Sequence, residues 1–331
     1  MLSDPQIPMI DFNGFPLYLA PMAGVTNKIF RQLCKGFGVD VLTTEFVSSE
    51  GIFRRNAHTM EYLDFDDSER PLGVQLFGAE PRHMGEAARI VLDWKKPDFI
   101  DLNFGCPVNK VVSKNGGSAL LKDCPLLKRV AEEVVNSVAP FPVTAKIRIG
   151  WDRETINAVI TARILEDAGI RVLAVHGRTK DQGYGGEADW DVIAAVAAAV
   201  SIPVIGNGDL ANAYDVKRRR EQSGVAGVMI GRSAMSSPWI FKEIKEYLAT
   251  GELPPSPSLA EQWRFIRNHC RLVIEKEGSE AHAMSSMRSR LMAYSRGMPE
   301  AKYLRNSFSH ISTLEELDRV AEANQKAAEL H

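Results

Sequence analysis

The chain has 331 residues, of which 45% are hydrophobic and 25% are charged, and its formal net charge is -2. This balance is typical of a globular protein, and the length predicts two domains or one large barrel with an appendage. A globally basic nucleic-acid binder is excluded, although a local basic face is not. Four cysteines (Cys34, Cys106, Cys124 and Cys270) lie far apart without metal-ligand spacing. We therefore expect neither a metal site nor a disulfide framework.

Two features of the sequence argue against export or membrane insertion. Residues 1–14 carry acids and prolines without an apolar core, so they do not resemble a signal peptide. The longest apolar stretch, residues 192–205, is interrupted by Ser201 and Pro203 and is too short to span a bilayer. We expect a cytoplasmic protein.

Short apolar, β-branched runs alternate with helical patterns along most of the chain. The runs are continuous rather than alternating, as in parallel strands buried on both faces. Eight such strands predict a (β/α)8 TIM barrel, with a doubly wound open sheet as the alternative. No GxGxxG motif opens the first unit, which counts against the open sheet. The predicted strands are residues 17–21, 41–46, 72–77, 99–104, 143–149, 172–176, 203–206 and 227–231.

A second domain follows the predicted barrel. Residues 250–258, TGELPPSPS, are rich in Pro and Ser and predict a linker. Residues 259–331 contain no strand-like run and have helical periodicity, with a capping box at Thr313 and Glu316. The sequence therefore predicts a catalytic barrel over residues 1–249 and a small all-helical domain over residues 259–331.

The predicted strand ends carry polar or glycine-rich groups, and TIM-barrel active sites lie at the carboxyl ends of the strands. Residues 207–209 and 231–232 offer backbone N–H groups, a helix start and a cation, which suit a phosphate. Lys146 lies within an apolar strand and needs an anion or a polarised carbonyl, because burying an unpaired charge is costly. Any one of these residues could instead be an ordinary interior polar residue, but the whole set favours a site.

Cys106 lies where the fourth predicted strand opens into a long glycine-rich loop, between Gly105 and Pro107. Most single cysteines are inert core residues, and that interpretation suits the other three. A thiol at the mouth of a barrel can act as a nucleophile or as a proton donor. No base adjoins Cys106 in the sequence, which favours a neutral thiol that donates a proton.

Several segments closely resemble the tRNA-dihydrouridine synthases, nearest to the B-type bacterial subgroup. They are LAPMAGVTN, LGVQLFG, DLNFGCPVNKVVSKNGGSALL, TAKIRIGW, VHGRT, IGNGD and MIGR. The resemblance covers residues 17–245 and continues more weakly into the helical tail. LNxGCP followed by a glycine-rich loop is its most specific part, whereas PMAG or GNG alone would be weak.

The resemblance implies an FMN enzyme that reduces uridine in tRNA to 5,6-dihydrouridine, with NADPH as the electron donor. Flavin N5 would give a hydride to C6 of the uracil, and Cys106 would protonate C5. The base must leave its RNA context to reach such a site. No nicotinamide motif is visible, so NADPH is implied by the resemblance alone. No obligate protein partner is predicted.

Position by position, the resemblance implies a flavin site and two substrate contacts. Asn103 and Arg178 match positions that touch the target uracil. The implied FMN ligands are Pro21, Met22 and Ala23 beneath the ring, Gln75 and Lys146 at its pyrimidine edge, His176 beside it, and Asn207, Gly208, Asp209, Gly231 and Arg232 at the phosphate. The last five residues agree with the phosphate interpretation of the strand ends.

The helical tail is the expected tRNA-binding region. Residues 261–305 contain nine Lys or Arg and five Glu, and Arg264, Arg267 and Arg271 share one predicted helix face. An Arg-Lys-His triplet common in the family is replaced here by residues 288–290, Arg-Ser-Arg, which puts one RNA contact in doubt. An ordinary solvated helix face is the alternative interpretation.

Two other functions remain open at the level of sequence. Another FMN-dependent barrel, similar to dihydroorotate dehydrogenase, would share the phosphate site but need no basic tail. A non-catalytic RNA-binding barrel would not need Cys106 or Lys146. Bound flavin would argue against the binder, and activity on tRNA would separate the two enzymes.

Overall fold

The computed structural model describes residues 10–329, and its strands form a single parallel sheet. The strands are β1 (Leu17–Leu19), β2 (Leu42–Thr43), β3 (Val47–Ser48), β4 (Leu72–Phe77), β5 (Phe99–Phe104), β6 (Val143–Arg148), β7 (Val172–His176), β8 (Val204–Asn207) and β9 (Gly227–Ile230). Their spatial order is β1-β9-β8-β7-β6-β5-β4-β2, with β3 also paired to β4. A bridge between Tyr18 and Val41 joins the two ends of this row. The sheet is a nearly closed barrel, which confirms the predicted TIM-barrel fold.

Helices follow most of the strands, as expected for parallel strands that need crossover connections. Several begin with a capping side chain, such as Asp123, Asp189 and Asn212, which each accept a backbone N–H from the first turn. The helices are α1 (Lys28–Gly36), α2 (Ser49–Phe53), α3 (Ala57–Glu61), α4 (Pro81–Lys95), α5 (Asn109–Val112), α6 (Cys124–Val138), α7 (Ala158–Asp167), α8 (Trp190–Ala199), α9 (Ala213–Ser223), α10 (Arg232–Ser236), α11 (Ile240–Thr250), α12 (Leu259–Glu277), α13 (Glu280–Tyr294), α14 (Ala301–Phe308) and α15 (Leu314–Glu329).

The second predicted strand is the one that the structure corrects. A single strand over residues 41–46 is wrong, because only Leu42–Thr43 pair with the start of β4. The chain then leaves the ladder and pairs again at Val47–Ser48, beside Leu76 and Phe77. β2 therefore covers only part of the predicted strand, which the polar residues Thr43, Thr44 and Glu45 interrupt, and β3 begins directly after its predicted end.

The chain divides into two compact units. One holds the sheet and consists of Val39–Gly231 with the chain up to Lys28, and the other consists of Ile29–Gly38 and the chain from Arg232 onward. This division differs from the predicted boundary after residue 249, because α10 packs against α11 and α13. Residues 253–258, within the predicted linker, do lack regular structure. Residues 1–9 and 330–331 of the predicted domains lie outside the described residues.

The second unit is helical, as predicted for the tail. Its core includes Trp263, Leu291 and Phe308, and the capping box is present. The Glu316 N–H donates to Thr313 Oγ1 at 3.1 Å, and the Thr313 N–H donates to Glu316 Oε2 at 3.2 Å. Across residues 10–329, no helix has both the length and the apolar character needed to cross a bilayer.

Alternate residues of the strands fill the barrel interior. Tyr18, Phe99, Ile205 and Met229 belong to one buried apolar cluster. Gly73 leaves room for the ring of Phe99, because a Cβ at residue 73 would lie 2.0 Å from that ring. Further along the strands the interior becomes polar, and this polar level leads to the carboxyl ends of the barrel.

We expect Gly73→Ala to destabilise the barrel, because its methyl group would overlap the Phe99 ring. Overpacking of this kind costs about 1–3 kcal/mol, measurable by urea unfolding. Gly36→Ala is the control, since a Cβ at Gly36 meets nothing within 4 Å, and it should change stability by less than about 0.5 kcal/mol. Equal effects of the two substitutions would contradict this account of the interior.

Candidate active site

A chain of buried polar side chains crosses from β6 to β4 inside the barrel. Thr144 Oγ1 donates to Asp101 Oδ1 at 2.5 Å, and Gln75 Nε2 donates to Asp101 Oδ2 at 2.6 Å. Asn103 Nδ2 donates to Gln75 Oε1 at 2.7 Å. Strand pairing sets these contacts, because Gln75 is in register with Asp101, and Asp101 with Thr144. Two residues from the predicted site are thus joined to two residues that sequence reasoning did not select.

The backbone on both sides of Cys106 is fixed by hydrogen bonds. Asn103 Oδ1 accepts the N–H groups of Gly105 at 3.1 Å and Cys106 at 2.8 Å. The Cys106 carbonyl accepts from Ser118 Oγ at 2.8 Å, and Arg148 Nε donates to the Gly105 carbonyl at 3.0 Å. The loop after β5 therefore holds Cys106 in one place at the end of the strand.

The Cys106 side chain is 6% exposed, and burial raises the pKa of its thiol. The Val108 N–H and the positive charges of Arg148 and Lys146 oppose that rise. The thiol is therefore neutral near pH 7 and has a proton to give, which agrees with the role expected from the sequence.

Lys146 is a partly buried cation with spare hydrogen-bonding capacity. Its ammonium carries three donors, and Nζ makes one hydrogen bond with the described residues, to Asn207 Oδ1 at 3.3 Å. Asn207 Nδ2 in turn donates to the Met229 carbonyl at 2.7 Å. Burial lowers the pKa of Lys146 to about 8, with Arg148 acting in the same direction and Asp101 opposing it. An anion or carbonyl placed beside Lys146 would relieve the cost of this buried charge.

Arg178 and Asp209 bind each other. Arg178 Nη2 lies 2.9 Å from both carboxylate oxygens of Asp209 and also donates to the Gly186 carbonyl at 2.6 Å. The Ala188 N–H donates to Asp209 Oδ2 at 2.7 Å. The carboxylate thus anchors the loop after β7, and the uracil and phosphate roles of this pair stay predictions.

The remaining predicted flavin residues lie in the loop after β1 and at the carboxyl ends of β7, β8 and β9. The loop after β1 is a tight turn, in which the Met22 carbonyl accepts the N–H groups of Val25 and Thr26 at 3.0 Å each. A Cβ at Gly231 would lie 3.6 Å from Met22 Sδ, so these two residues are neighbours. Pro21, Met22, His176, Asn207, Gly208 and Gly231 are partly or fully buried at the strand ends, whereas Ala23 is exposed.

Arg232 is exposed and begins α10, directly after Gly231 in the chain. By compactness it groups with the second unit rather than with the barrel. Its contribution to a phosphate site stays a prediction.

Asp101, Thr144 and Arg148 are the side chains that sequence reasoning did not assign. Arg148 Nη1 donates to the carbonyls of Thr179 and Gly183 at 2.8 and 2.9 Å, so it braces the loop after β7 as well as Gly105. The available signal was strand periodicity, because Asp101 precedes Asn103 by two residues and Arg148 follows Lys146 by two. Periodicity identifies the shared face but not the partners.

A separate cleft of about 840 Å³ lies beside the loop that follows β5. Ser48, Glu50, Arg54 and Lys114 are among its lining residues. His83 Nδ1 lies 2.7 Å from Glu50 Oε2 in this cleft. None of the residues predicted to bind flavin belongs to its described lining, so the cleft is distinct from the candidate flavin site.

The dihydrouridine synthase family model matches residues 18–329. The chain belongs to the dihydrouridine synthase family. This finding confirms the resemblance seen in the motifs and, with it, the expected class of flavin-dependent oxidoreductase. A match over nearly the whole chain also favours this family over the dihydroorotate dehydrogenase-like alternative.

Two curated relatives agree with this family. A tRNA-dihydrouridine synthase B of Xanthomonas campestris is 46% identical over 253 residues, covering 76% of this chain and 74% of the relative. A probable tRNA-dihydrouridine synthase of Rickettsia conorii is 39% identical over 292 residues, covering 88% and 87%. The first confirms the predicted B-type subgroup.

A solved structure described as TcOYE with pHBA superposes with a TM-score of 0.51 at 11% identity, covering 74% of this chain and 91% of that chain. This likeness supports the fold alone.

We expect Asp209→Asn to destabilise the flavin-free protein, because Arg178 is 2% exposed and would keep a buried charge without its carboxylate. Breaking a buried pair costs about 3–5 kcal/mol, and the partial exposure of Asp209 reduces this to about 2–3 kcal/mol. Urea unfolding measures the loss. Asp181→Asn, which breaks the exposed pair with Lys180, should cost less than about 0.5 kcal/mol. Unchanged stability with weaker flavin binding would instead assign Asp209 to the ligand.

Proposed function

We propose that this chain reduces uridine in tRNA to 5,6-dihydrouridine, with FMN as its cofactor and NADPH as its electron donor. The observation that carries the proposal is the Cys106 thiol at the mouth of the barrel. Burial keeps this thiol neutral, while the positive charges of Lys146 and Arg148 favour its ionised form. The relatives named as tRNA-dihydrouridine synthases support tRNA as the substrate. A tRNA substrate also supports a cytoplasmic location.

The donor set fits a flavin. A flavin pyrimidine ring presents carbonyl oxygens and ring nitrogens along one edge. Gln75 Nε2 uses one of its two N–H groups on Asp101, and Lys146 has donors to spare. A cationic donor beside an amide donor suits an edge that gains negative charge on reduction. We therefore propose that Gln75 and Lys146 hold the pyrimidine edge, with Pro21, Met22 and Ala23 beneath the ring and His176 beside it.

The chain's own residues supply binding, orientation and one proton. A bound flavin supplies the hydride for C6 of the uracil. Cys106 Sγ then gives its proton to C5, and Arg148 and Lys146 stabilise the thiolate that results, because both charges lower the pKa of the thiol. Asn103, whose side chain fixes the Cys106 backbone, and Arg178 are the proposed uracil contacts. Residues 207–209 and 231–232 are the proposed phosphate contacts.

The second unit has two basic surfaces that could bind tRNA, and they differ in how far their charges are neutralised by acidic side chains. The predicted face of α12 is largely neutralised, because Arg267 bonds Asp318 at 2.8 Å and Arg271 pairs with Glu275. A better surface consists of exposed Arg296, Lys302 and Arg305 with the half-exposed ring of Tyr303. Within residues 10–329, none of these three cations forms an ion pair with an acidic side chain. We propose that they contact RNA phosphates while Tyr303 stacks on a base.

We expect FMN affinity to fall as the pH rises through about 8, because Lys146 has its pKa near this value and loses its charge there. Lys146→Gln should remove this dependence and weaken FMN at pH 7 by about tenfold or more, the value of a charged hydrogen bond. Quenching of flavin fluorescence gives both quantities. Lys128→Gln, which removes an exposed lysine paired with Glu132, should behave as the parent. A parent affinity without this inflection would remove Lys146 from the cofactor site.

We expect Cys106→Ala to separate the two half-reactions. Flavin reduction by NADPH should be unchanged, since no thiol proton is used. Reoxidation by unmodified tRNA should slow by about 10²–10⁴-fold, the usual contribution of a general acid. Anaerobic stopped flow measures both rates, and nucleoside mass spectrometry identifies dihydrouridine as the product.

Cys124→Ala is the control for this experiment, because Cys124 begins α6 and lies outside the polar chain. Its rates should equal those of the parent. If Cys106→Ala were reoxidised by tRNA at the parent rate, another group would be the proton donor. A parent that binds flavin but forms no dihydrouridine would overturn the proposed function itself.

A further inference from the structure

Asp101 is a carboxylate buried inside the barrel, with 6% of its surface exposed. Both of its oxygens are engaged, by Thr144 Oγ1 at 2.5 Å and by Gln75 Nε2 at 2.6 Å. Burial raises its pKa, while Thr144, Gln75 and the positive charge of Lys146 act against that rise. Burying a charge costs free energy, so a buried carboxylate is commonly found where it contributes to stability or to a functional site.

The position of Asp101 relates it to two proposed flavin ligands at once. It lies two residues before Asn103 on β5, and Asn103 is in register with Lys146 on β6. Side chains two apart on a strand share a face, so Asp101 lies one level deeper in the barrel than the Asn103–Lys146 pair. Gln75 is bonded directly to it, and Lys146 is coupled to it through space.

We propose that Asp101 is a positioning residue of the active site, whose carboxylate tethers the Gln75 amide and keeps the Lys146 ammonium charged for the bound cofactor. This inference rests on the proposed function, because it takes Gln75 and Lys146 to be cofactor ligands. Asp101 itself touches neither cofactor nor substrate in this proposal. It acts through the two side chains above it.

The tether follows from donor and acceptor chemistry. Both Asp101 oxygens accept hydrogen bonds, as those of an ionised carboxylate do. Asp101 therefore takes the Nε2 end of Gln75 and turns Oε1 toward Asn103 Nδ2, 2.7 Å away. The Asn103 oxygen is then left for the N–H groups of Gly105 and Cys106. The series of hydrogen bonds begins at backbone donors and ends at carboxylate oxygens that accept. Every bond in it therefore has the same donor-to-acceptor direction. One N–H of Gln75 is thereby left for a ligand.

The electrostatic role follows from the charges that face Lys146. Arg148 on its own strand opposes the protonated ammonium, and Asp101 on β5 favours it. Cys106, in the loop after β5, favours it only when its thiol is ionised. The neighbouring residue in register on β7 is Ala174, which carries no charge, and β8 contributes the Asn207 amide. Tyr18, the other titratable group near Asp101, has its pKa raised by burial and by this carboxylate, so it remains neutral. Asp101 is therefore the carboxylate that offsets Arg148 at Lys146.

The test is the isosteric substitution Asp101→Asn, which keeps the shape and removes the charge. We expect the pH at which FMN affinity falls to drop by about one unit, as expected for charges several Å apart at the effective dielectric of a protein interior. Below that pH, where Lys146 stays protonated, the flavin midpoint potential should become more positive, because an anion near the ring disfavours its reduction. In the double variant Asp101→Asn with Lys146→Gln, the pH-dependent part of the effect should vanish.

Asp98→Asn is the matched control. Asp98 precedes the same strand, its side chain is 9% exposed, and it bonds Arg70 and the Leu72 N–H rather than the flavin-binding side chains. Its loss should lower stability without moving the pH of FMN release or the potential. Equal shifts for both variants would mean that any buried carboxylate has this effect, and would overturn the proposal.

A second measurement covers the case in which Asp101→Asn binds FMN too weakly to titrate. NMR of the lysine side chains in the flavin-free protein, with Lys146→Gln for assignment, follows the Lys146 titration directly. A lower titration point in Asp101→Asn supports the inference, and an unchanged one refutes it. The failures are distinguishable: a parent without a pH-dependent FMN affinity refutes the cofactor role of Lys146, whereas a normal parent with an unshifted Asp101→Asn refutes only the role of Asp101.

Discussion

The polar side chains inside this barrel are buried, so a hydrogen-bonding group among them that lacks a partner is costly. The cost of leaving one buried donor or acceptor unpaired is about 1–3 kcal/mol. Thr144, Asp101, Gln75 and Asn103 meet this requirement by bonding in series across three strands. The series ends on the N–H of Cys106. The position of the thiol is consequently tied to the hydrogen-bonding needs of the barrel core.

The same requirement explains why the arginines and the lysine of the site differ in how many of their donors the protein itself engages. Arg148 donates hydrogen bonds to the carbonyls of Gly105, Thr179 and Gly183. Arg178 binds two further loop carbonyls and Asp209. A planar guanidinium suits such multiple, fixed contacts, whereas an ammonium is a compact point charge. Lys146 makes one long hydrogen bond with the described residues, so its remaining donors are left for a group that the protein does not supply.

The sequence predicted the barrel well because parallel strands buried on both faces leave continuous apolar runs, as in β7 and β9. It failed at residues 41–46, where pairing stops at the polar residues Thr43, Thr44 and Glu45 and restarts at Val47. It found Gln75, Asn103 and Lys146 through motifs but not Asp101, whose importance lies in partners on neighbouring strands. The Pro-rich segment 250–258 predicted irregular chain, yet composition could not reveal that α10, before this segment, packs against α13, after it. Similarly, the spacing of the α12 arginines could not reveal Asp318, 51 residues from Arg267.

Burial and charge act on Cys106 in opposite directions, and a proton donor needs both. Burial keeps the thiol protonated before reaction, which an exposed thiol beside two cations would not ensure. In the proposed reaction, the same site must hold a thiolate once the proton has gone to carbon. Arg148, Lys146 and the Val108 N–H then favour the charged form. Burial alone would raise the pKa of the thiol and make it a weak proton donor. Cations alone would lower that pKa and leave a nucleophilic thiolate. The balance of the two suits a residue that gives up one proton in each turnover and recovers it from solvent.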